Sequence, residues 1–346
     1  MLAVDPLLTP FQDKVPILQI FGQLVREGTL AAKQGKVGAR HSEDYLRTIS
    51  STFLHLGSKD PRLTDQGKMD FRITRMITAW KKEDPPPHRV KPLPIQVIKH
   101  ISFEAIHTPD PLTQAVADMI IIAFFFLLRP GEYTDDQKPD ATPFRICDVQ
   151  LFIGEQRLDV KTSTTAELTA ARFASLTFTN QKNGVRGEVI GLALSGDLFI
   201  CPVRAIIRRI LHWRTSSSLD DTAPLARVYL QTNAGDSAAG GIADTTTHVT
   251  SKRITDVIRV AVFAIGPSLG FLPSDVSARS LRAAGANALL LANIDTDIIR
   301  LIGRWRSDEM LRYLHVQAAP LMANYAARML QAGQYTIIPN QMVPSF

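Results

Sequence analysis

Cysteine is almost missing from this chain. Cys147 and Cys201 stand far apart and neither belongs to a Cys-x-x-Cys pair, which argues against a disulfide framework or a zinc ribbon and fits a reducing compartment. Long apolar runs are missing as well: the strongest, residues 119–128, stops at Arg129. It is too short to cross a bilayer and reads as a buried helix, and no secretory segment opens the chain. The eight histidines show neither His-x-x-x-His nor His-Glu-x-x-His spacing, which disfavours zinc chemistry. No Walker A loop is present to cradle nucleotide phosphates, and no segment repeats.

What is there is a globular composition, 45% hydrophobic and 21% charged over 346 residues, long enough for two cores. The formal net charge is +6, and residues 1–95 carry 15 basic against 10 acidic groups, so the basic excess lies toward the N-terminus and suits a polyanionic partner. Apolar residues recur at helical spacing over 13–33 (Ile17, Phe21, Leu24, Val25), 41–56 (Tyr45, Leu46, Ile49, Phe53) and 70–83 (Phe71, Ile73, Met76, Ile77), predicting three or four amphipathic helices. On or beside them lie Arg40, Arg47, Arg72, Arg75, Lys81 and Lys82, the candidates for contacts with such a polyanion. Five prolines then fall within residues 83–95. They cannot continue a helix and mark a semi-rigid linker, which divides the chain into a helical domain (1–83), a linker (84–95) and a larger domain (96–346).

Residues 96–105 and 112–128 read as helices, the second broken by Arg129-Pro130-Gly131-Glu132. Short alternating runs follow between 144 and 194. The last two flank Gln181-Lys182-Asn183-Gly184, a hairpin signal that puts Lys182 at a tip. Helices are predicted over 202–213, 251–264, 277–292, 297–302, 308–314 and 320–332, with a small polar loop over 234–241. The fold class is mainly α with a small antiparallel β-sheet.

The most informative stretch is residues 277–315, which places arginines, a tryptophan and a tyrosine at element boundaries. Guanidinium forks match the non-bridging oxygens of a phosphodiester, whose charge grows in the transition state. Arg279 and Arg282, three apart near the start of a predicted helix, fall on one face beside free amides. Trp305 carries a single N–H donor. Arg304 and Arg306 beside it point to backbone phosphates or to solvent. Ser307 can cap a helix on which Tyr313 comes late, and Tyr313 could attack phosphorus and hold the cleaved strand covalently.

Arg279-Ser280-Leu281-Arg282, Gly303-Arg304-Trp305 and Tyr313, together with Arg129-Pro130-Gly131-Glu132, resemble the catalytic motifs of the tyrosine recombinase (phage integrase) family. The eight-residue step from Trp305 to Tyr313 and the Gly-Arg-Trp-x-Ser wording are most similar to recombinases of eukaryotic mobile elements of the Crypton and DIRS type. The likeness covers nearly the whole chain, though the N-terminal part matches by architecture only. It departs from the pattern at Arg279, where the family usually has histidine, so a charged donor remains but a general base does not.

The resemblance implies a helical core-binding domain followed by an α+β catalytic domain. It implies that Arg129, Arg279, Arg282 and Trp305 clamp the scissile phosphate and that Tyr313 is the nucleophile. Lys182 would be the acid that protonates the leaving 5′-oxygen, which is a poor leaving group as an alkoxide. Lys161 and Arg186 are weaker claimants to that role, and Tyr325 and Tyr335 rival nucleophiles at the wrong spacing. Glu132 would orient Arg129, and Asp148 would be structural. The implied partners are double-stranded DNA, the polyanion that those N-terminal basic residues would contact, and further copies of the chain: a tetramer on DNA and a monomer or weak oligomer without it, with residues 320–332 docking on a neighbour. No metal or nucleotide cofactor and no membrane are implied, and residence would be nuclear for a eukaryotic element, cytoplasmic otherwise. Two other classes stay open: a domesticated copy that binds DNA without cutting it, and a metal-dependent nuclease or transposase drawing on Asp135, Asp136 and Asp148. A type IB topoisomerase would share the tyrosine chemistry.

Overall fold

Two compact units, Met1–His88 and Arg89–Phe346, divide the chain, and the computed structural model describes residues 13–31, 35–85, 90–138, 142–179, 187–231 and 244–305. In the first unit lie three helices, α1 (Val15–Glu27), α2 (Ala39–His55) and α3 (Phe71–Glu83). The helical spacing turns Leu18, Leu46, Ile73, Ile77 and Trp80 into one core,. Gly22 belongs to that packing, since a Cβ there would come within 2.9 Å of the Trp80 ring. Arg26 is buried, with its guanidinium 2.6 Å from both the Val37 carbonyl and the Asp84 carboxylate. Asp84 also accepts from the Ala39 amide at 2.6 Å. One carboxylate thus ties the end of α1 and the start of α2 to the end of α3.

The second unit begins with α4 (Ile95–Ile106), α5 (Pro111–Phe125) and the single turn α6 (Pro130–Tyr133). Helix α5 starts where Asp110 accepts from the amides of Leu112 and Thr113, with Pro111 in the first turn,. It is apolar on every side and therefore central: Met119, Ile120, Ile121 and Ile122 are all sealed from solvent, and α5 packs against α4, α8 (Pro202–Trp213) and α10 (Ser280–Leu291). Its one charge, Asp118, is paired with Arg208 of α8 at 2.7 Å. Strands β1 (Val149–Ile153), β2 (Gln156–Leu158), β3 (Phe173–Phe178) and β4 (Glu188–Ala193) form an antiparallel sheet in the order β2-β1-β3-β4, with the short helix α7 (Thr165–Ala170) before β3. A two-stranded antiparallel ribbon of β5 (Arg227–Gln231) and β6 (Asp244–His248), absent from the sequence expectation, leads into α9 (Ser251–Ile265). Helices α10 and α11 (Thr296–Gly303) close the described part.

Helices α5 and α10 meet closely at one end, and two residues make that possible. The chain leaves α5 through Leu127 at φ 51°, a left-handed conformation that costs an L-residue roughly 1–2 kcal/mol. Gly285 lets α10 approach that same end, since a Cβ there would meet the Phe124 carbonyl at 2.2 Å. Helix α10 begins at Ser280, three residues later than the sequence spacing predicts. The turn before it is closed by the Ser280 amide donating to the Ser277 carbonyl at 2.8 Å and the Ser277 amide to Ser280 Oγ at 3.1 Å. The predicted helices over 308–314 and 320–332 and the loop over 234–241 lie outside the described residues.

Candidate active site

Arg129 precedes Pro130, whose ring keeps it extended (φ −81°, ψ 151°) at the start of α6,. Glu132, three residues on, folds back: its Oε2 accepts from the Arg129 amide at 2.7 Å and its Oε1 from Arg129 Nη1 at 3.2 Å. Arg129 keeps 27% of its side chain exposed, and among the described residues its Nε and Nη2 have no partner, so half of the fork faces outward. The arrangement recurs sixteen residues later, where Asp148 accepts from the Arg145 amide at 2.9 Å and from its guanidinium at 3.2 Å. Arg145 escaped the sequence reading. Its Arg-x-x-Asp spacing, parallel to Arg-x-x-Glu at 129–132, was the available signal.

Arg279 and Arg282 do not share a face. Because α10 starts at Ser280, Arg279 is its capping residue and is exposed, whereas Arg282 lies in the first turn toward α5 and is 2% exposed. Arg282 Nη1 donates to the Leu127 carbonyl at 2.6 Å, Nη2 donates to the Gly303 carbonyl, and the guanidinium sits 4.3 Å from the centre of the Trp305 ring. Trp305 is itself buried and lies directly on Gly303, where any Cβ would collide with the indole. These groups form a small core with Leu127, Ala286 and Ile299. The family resemblance implies that Arg282 and Trp305 hold the scissile phosphate; here Trp305 belongs to that core and Arg282 is buried against it.

Arg304, expected at backbone phosphates or solvent, is the clearest correction. It caps α11 at φ 57° and its side chain is 1% exposed. Nη1 donates to the carbonyls of Phe126 and Ile302 at 3.3 and 3.2 Å, and Nη2 to the Leu127 carbonyl at 3.2 Å and to Glu132 Oε2 at 3.1 Å. The guanidinium lies 3.8 Å over the Phe178 ring. Burial pulls its pKa down to about 10, and the Glu132 charge opposes the shift,. The physical reason for the inward turn is a cluster of acceptors, the carbonyls of Phe126, Leu127 and Ile302 and the Glu132 carboxylate, which the two terminal nitrogens of a planar fork satisfy at once while Nε stays buried without a partner,.

The Tyr133 hydroxyl donates to the Ala278 carbonyl at 2.9 Å, fixing α6 to the residue before Arg279. Beside this lies a cleft of about 300 Å³ lined by Glu132, Asp135, Lys138, Arg145, Asp148 and Thr179 among others. Its carboxylates are engaged separately: Asp135 with His248 at 2.7 Å, Asp148 with Arg145, and, outside the cleft, Asp136 with Ser251 at 2.7 Å. Among the described residues no three His, Cys, Asp or Glu side chains are grouped to hold a metal ion. Strand pairing in the β3–β4 hairpin runs to Phe178 opposite Glu188. Lys182, Arg186, Arg306, Ser307, Tyr313, Tyr325 and Tyr335 lie outside the described residues. Lys161 is 3.0 Å from Asp221 at the surface.

In the first unit, Arg40, Arg75 and Lys82 are exposed and form no ion pair with another described residue. Arg47 is paired with Asp44, and Lys81 with Glu43 at 2.7 Å. Arg72 is committed elsewhere: it pairs with Asp70 at 2.9 Å and with Asp13. Its pKa is raised and those of both acids are lowered, in each case mainly through the hydrogen bonds between them.

Two solved structures share this architecture over most of the chain. The integrase of transposon Tn1549, in complex with transposon right end DNA, matches with a TM-score of 0.50 at 15% identity, covering 95% of this chain and 89% of that one. The XerH site-specific recombinase, bound to palindromic difH substrate, matches with a TM-score of 0.50 at 12% identity, covering 94% of this chain and 74% of that one. The fold is that of the tyrosine recombinases. At these identities the likeness is one of fold. No family model and no curated protein matches the sequence.

Proposed function

We propose that the chain is a site-specific DNA recombinase that cuts and rejoins duplex DNA through a 3′-phosphotyrosine on Tyr313. The observation that carries this reading is the convergence of distant motifs within a recombinase fold. Arg282 and Arg304 both donate to the carbonyl of Leu127, two residues before Arg129, and Glu132 joins Arg304 to Arg129. The partly exposed fork of Arg129 and the exposed Arg279 are the groups available to non-bridging oxygens. Arg282 reaches a phosphate by exchanging a carbonyl for its oxygen. Trp305 would then supply its indole N–H from the same core.

In this reading Tyr313 loses its phenolic proton to water and attacks phosphorus, the 5′-oxygen leaves as a hydroxyl protonated by Lys182, and the reverse steps join a second duplex. The arginines lower the cost of the phenolate, whose reference pKa is about 10. The working assembly is a tetramer on two duplexes, in which the helical N-terminal unit grips DNA and residues 320–332 dock on a neighbour. The wording around Gly303-Arg304-Trp305 and the eight-residue step to Tyr313 support an origin in a eukaryotic mobile element of the Crypton or DIRS type, and hence work in the nucleus.

A duplex nicked close to the cleavage site tests the proposal, because the freed end diffuses away and traps the covalent adduct. Tyr313→Phe is expected to abolish the adduct while DNA binding persists, and Tyr325→Phe to retain it. Loss of the adduct in the Tyr325 variant with retention in the Tyr313 variant would reassign the nucleophile. The second reading, a DNA-binding descendant that no longer cuts, is favoured by one observation, the commitment of Arg282 to two backbone carbonyls. Tight binding with no adduct from the wild-type protein would select it.

A further inference from the structure

We propose that Arg304 is a positioning residue for Arg129, acting through Glu132. The inference rests on the reading of Arg129 as a phosphate ligand, and it gives Arg304 a role distinct from any contact with DNA.

Glu132 is the pivot. Its Oε2 is shared between the Arg129 amide at 2.7 Å and Arg304 Nη2 at 3.1 Å, while Oε1 holds Arg129 Nη1 at 3.2 Å. The bond to the Arg129 guanidinium is the longest of the three, and Arg129 is the partly solvated member. Its direction therefore depends on the plane in which the carboxylate is held. The Arg129 amide fixes one oxygen but leaves rotation about that contact, and Arg304 removes it. Arg304 itself has no freedom to give away, being fixed by the carbonyls of Phe126, Leu127 and Ile302 and stacked over Phe178 of β3.

A guanidinium is a costly group to bury merely to fill space. Four hydrogen-bonded oxygens, drawn from the exit of α5, from α6 and from α11, offset that cost and produce a rigid junction. The junction lies immediately before Trp305 and nine residues before Tyr313 in sequence, so the group that orients Arg129 belongs to the same short segment as the proposed nucleophile. Lysine cannot take over the role, because one ammonium cannot reach four oxygens spread around a planar fork.

The test uses the whole 346-residue chain with Arg304→Met, Arg304→Lys, Glu132→Gln and the Arg304→Met/Glu132→Gln pair. Three quantities are read: the rate of adduct formation on a nicked duplex, the affinity for the intact duplex with its salt dependence, and the side-chain ¹⁵N–H signal of Arg129, assigned by its disappearance in Arg129→Lys. Each single variant is expected to slow the adduct on the order of 100-fold, the loss typical of a displaced catalytic group. The double variant should be no slower than the worse single one, and affinity should be unchanged. A fall in affinity with a salt slope flatter by roughly 0.9 would make Arg304 a phosphate contact and overturn the proposal. So would single effects that multiply in the double variant, the sign of a role in folding independent of Glu132.

Should Arg304→Met fail to fold, Glu132→Gln alone carries the test. A wild-type rate together with an unmoved Arg129 signal in that variant rejects the proposal. Should the wild-type protein form no adduct at all, the recombinase reading fails, but the Arg129 signal still decides the positioning. It is expected to shift in both Glu132→Gln and Arg304→Lys, and an unchanged signal sinks the idea.

Discussion

Arg279 is the arginine whose role the geometry constrains most sharply, because it stands exposed at the cap of α10 while Arg282, three residues on, is buried. It makes no ion pair with another described residue, and its amide donates only weakly to Ser277 Oγ at 3.3 Å. Its charge is thus available to an anion, but a guanidinium, which stays charged in proteins, cannot take a proton from a tyrosine at neutral pH. A role in stabilising charge predicts that Arg279→Lys keeps part of the cleavage activity and Arg279→Ala loses roughly 100- to 1,000-fold, as on removing one donor from an oxyanion site. Arg279→His should be tolerated. Adduct yields over time on a nicked duplex measure all three, and a wild-type rate for Arg279→Ala would put the residue outside the site.

Two elements make testable demands on the fold that carries these side chains. Helix α10 approaches α5 through Gly285, where a Cβ would lie 2.2 Å from the Phe124 carbonyl. Gly285→Ala should push the helices apart, cost about 1–3 kcal/mol as overpacked cores do, and lower the melting temperature. An unchanged melting temperature would mean that the helices can part at no cost. Helix α8 is joined to β5 by the Tyr229 amide donating to His212 Nε2 at 2.9 Å. Burial, and then the charge of Arg209, push the His212 pKa from 6.5 down to about 4. The folded state therefore prefers the neutral ring, so its contribution to stability is complete above the unfolded value near 6.5 and is lost as pH falls toward 4. Melting curves should show that loss in the wild type and a flatter profile in His212→Gln, which keeps an acceptor but does not titrate; parallel profiles would remove His212 from the account. Element by element, the sequence was most legible where one periodicity ruled. The predicted 202–213 coincides with α8, and the helix predicted over 112–128 is the buried α5, which stops at Phe125, three residues short of the end of the apolar run. The β5–β6 ribbon was missed because its strands are short and far apart in sequence, with no two-residue turn signal joining them,, and the start of α10 because Ser277 and Ser280 close a turn of their own. Burial of Arg26, Arg282 and Arg304 could not be read at all, since charged residues are nearly always exposed and the carbonyls that hold these three come largely from distant chain.

For the whole molecule, the question is whether the helical N-terminal unit grips DNA or only accompanies the catalytic fold. The ion pairs of that unit sort its basic residues. Arg72 is held by Asp70 and Asp13, Arg47 by Asp44 and Lys81 by Glu43, whereas Arg40, Arg75 and Lys82 are exposed and form no ion pair among the described residues. Exposed pairs with acids are weak and yield readily to a phosphate, so Arg47 and Lys81 remain available, but Arg72, with two carboxylates around it, should contribute least. If about six phosphates are neutralised in all, the logarithm of affinity should fall with the logarithm of salt at a slope near −5. Replacing Arg40, Arg75 and Lys82 together by glutamine should flatten that slope by roughly 0.9 for each phosphate that is no longer neutralised, whereas Arg72→Gln should leave it almost unchanged. The measurement is a titration of duplex DNA at several salt concentrations with the intact chain and these variants. A slope indifferent to the triple replacement would mean that these three residues neutralise no phosphate, and a large effect from Arg72→Gln would mean that its two carboxylates let go when DNA arrives.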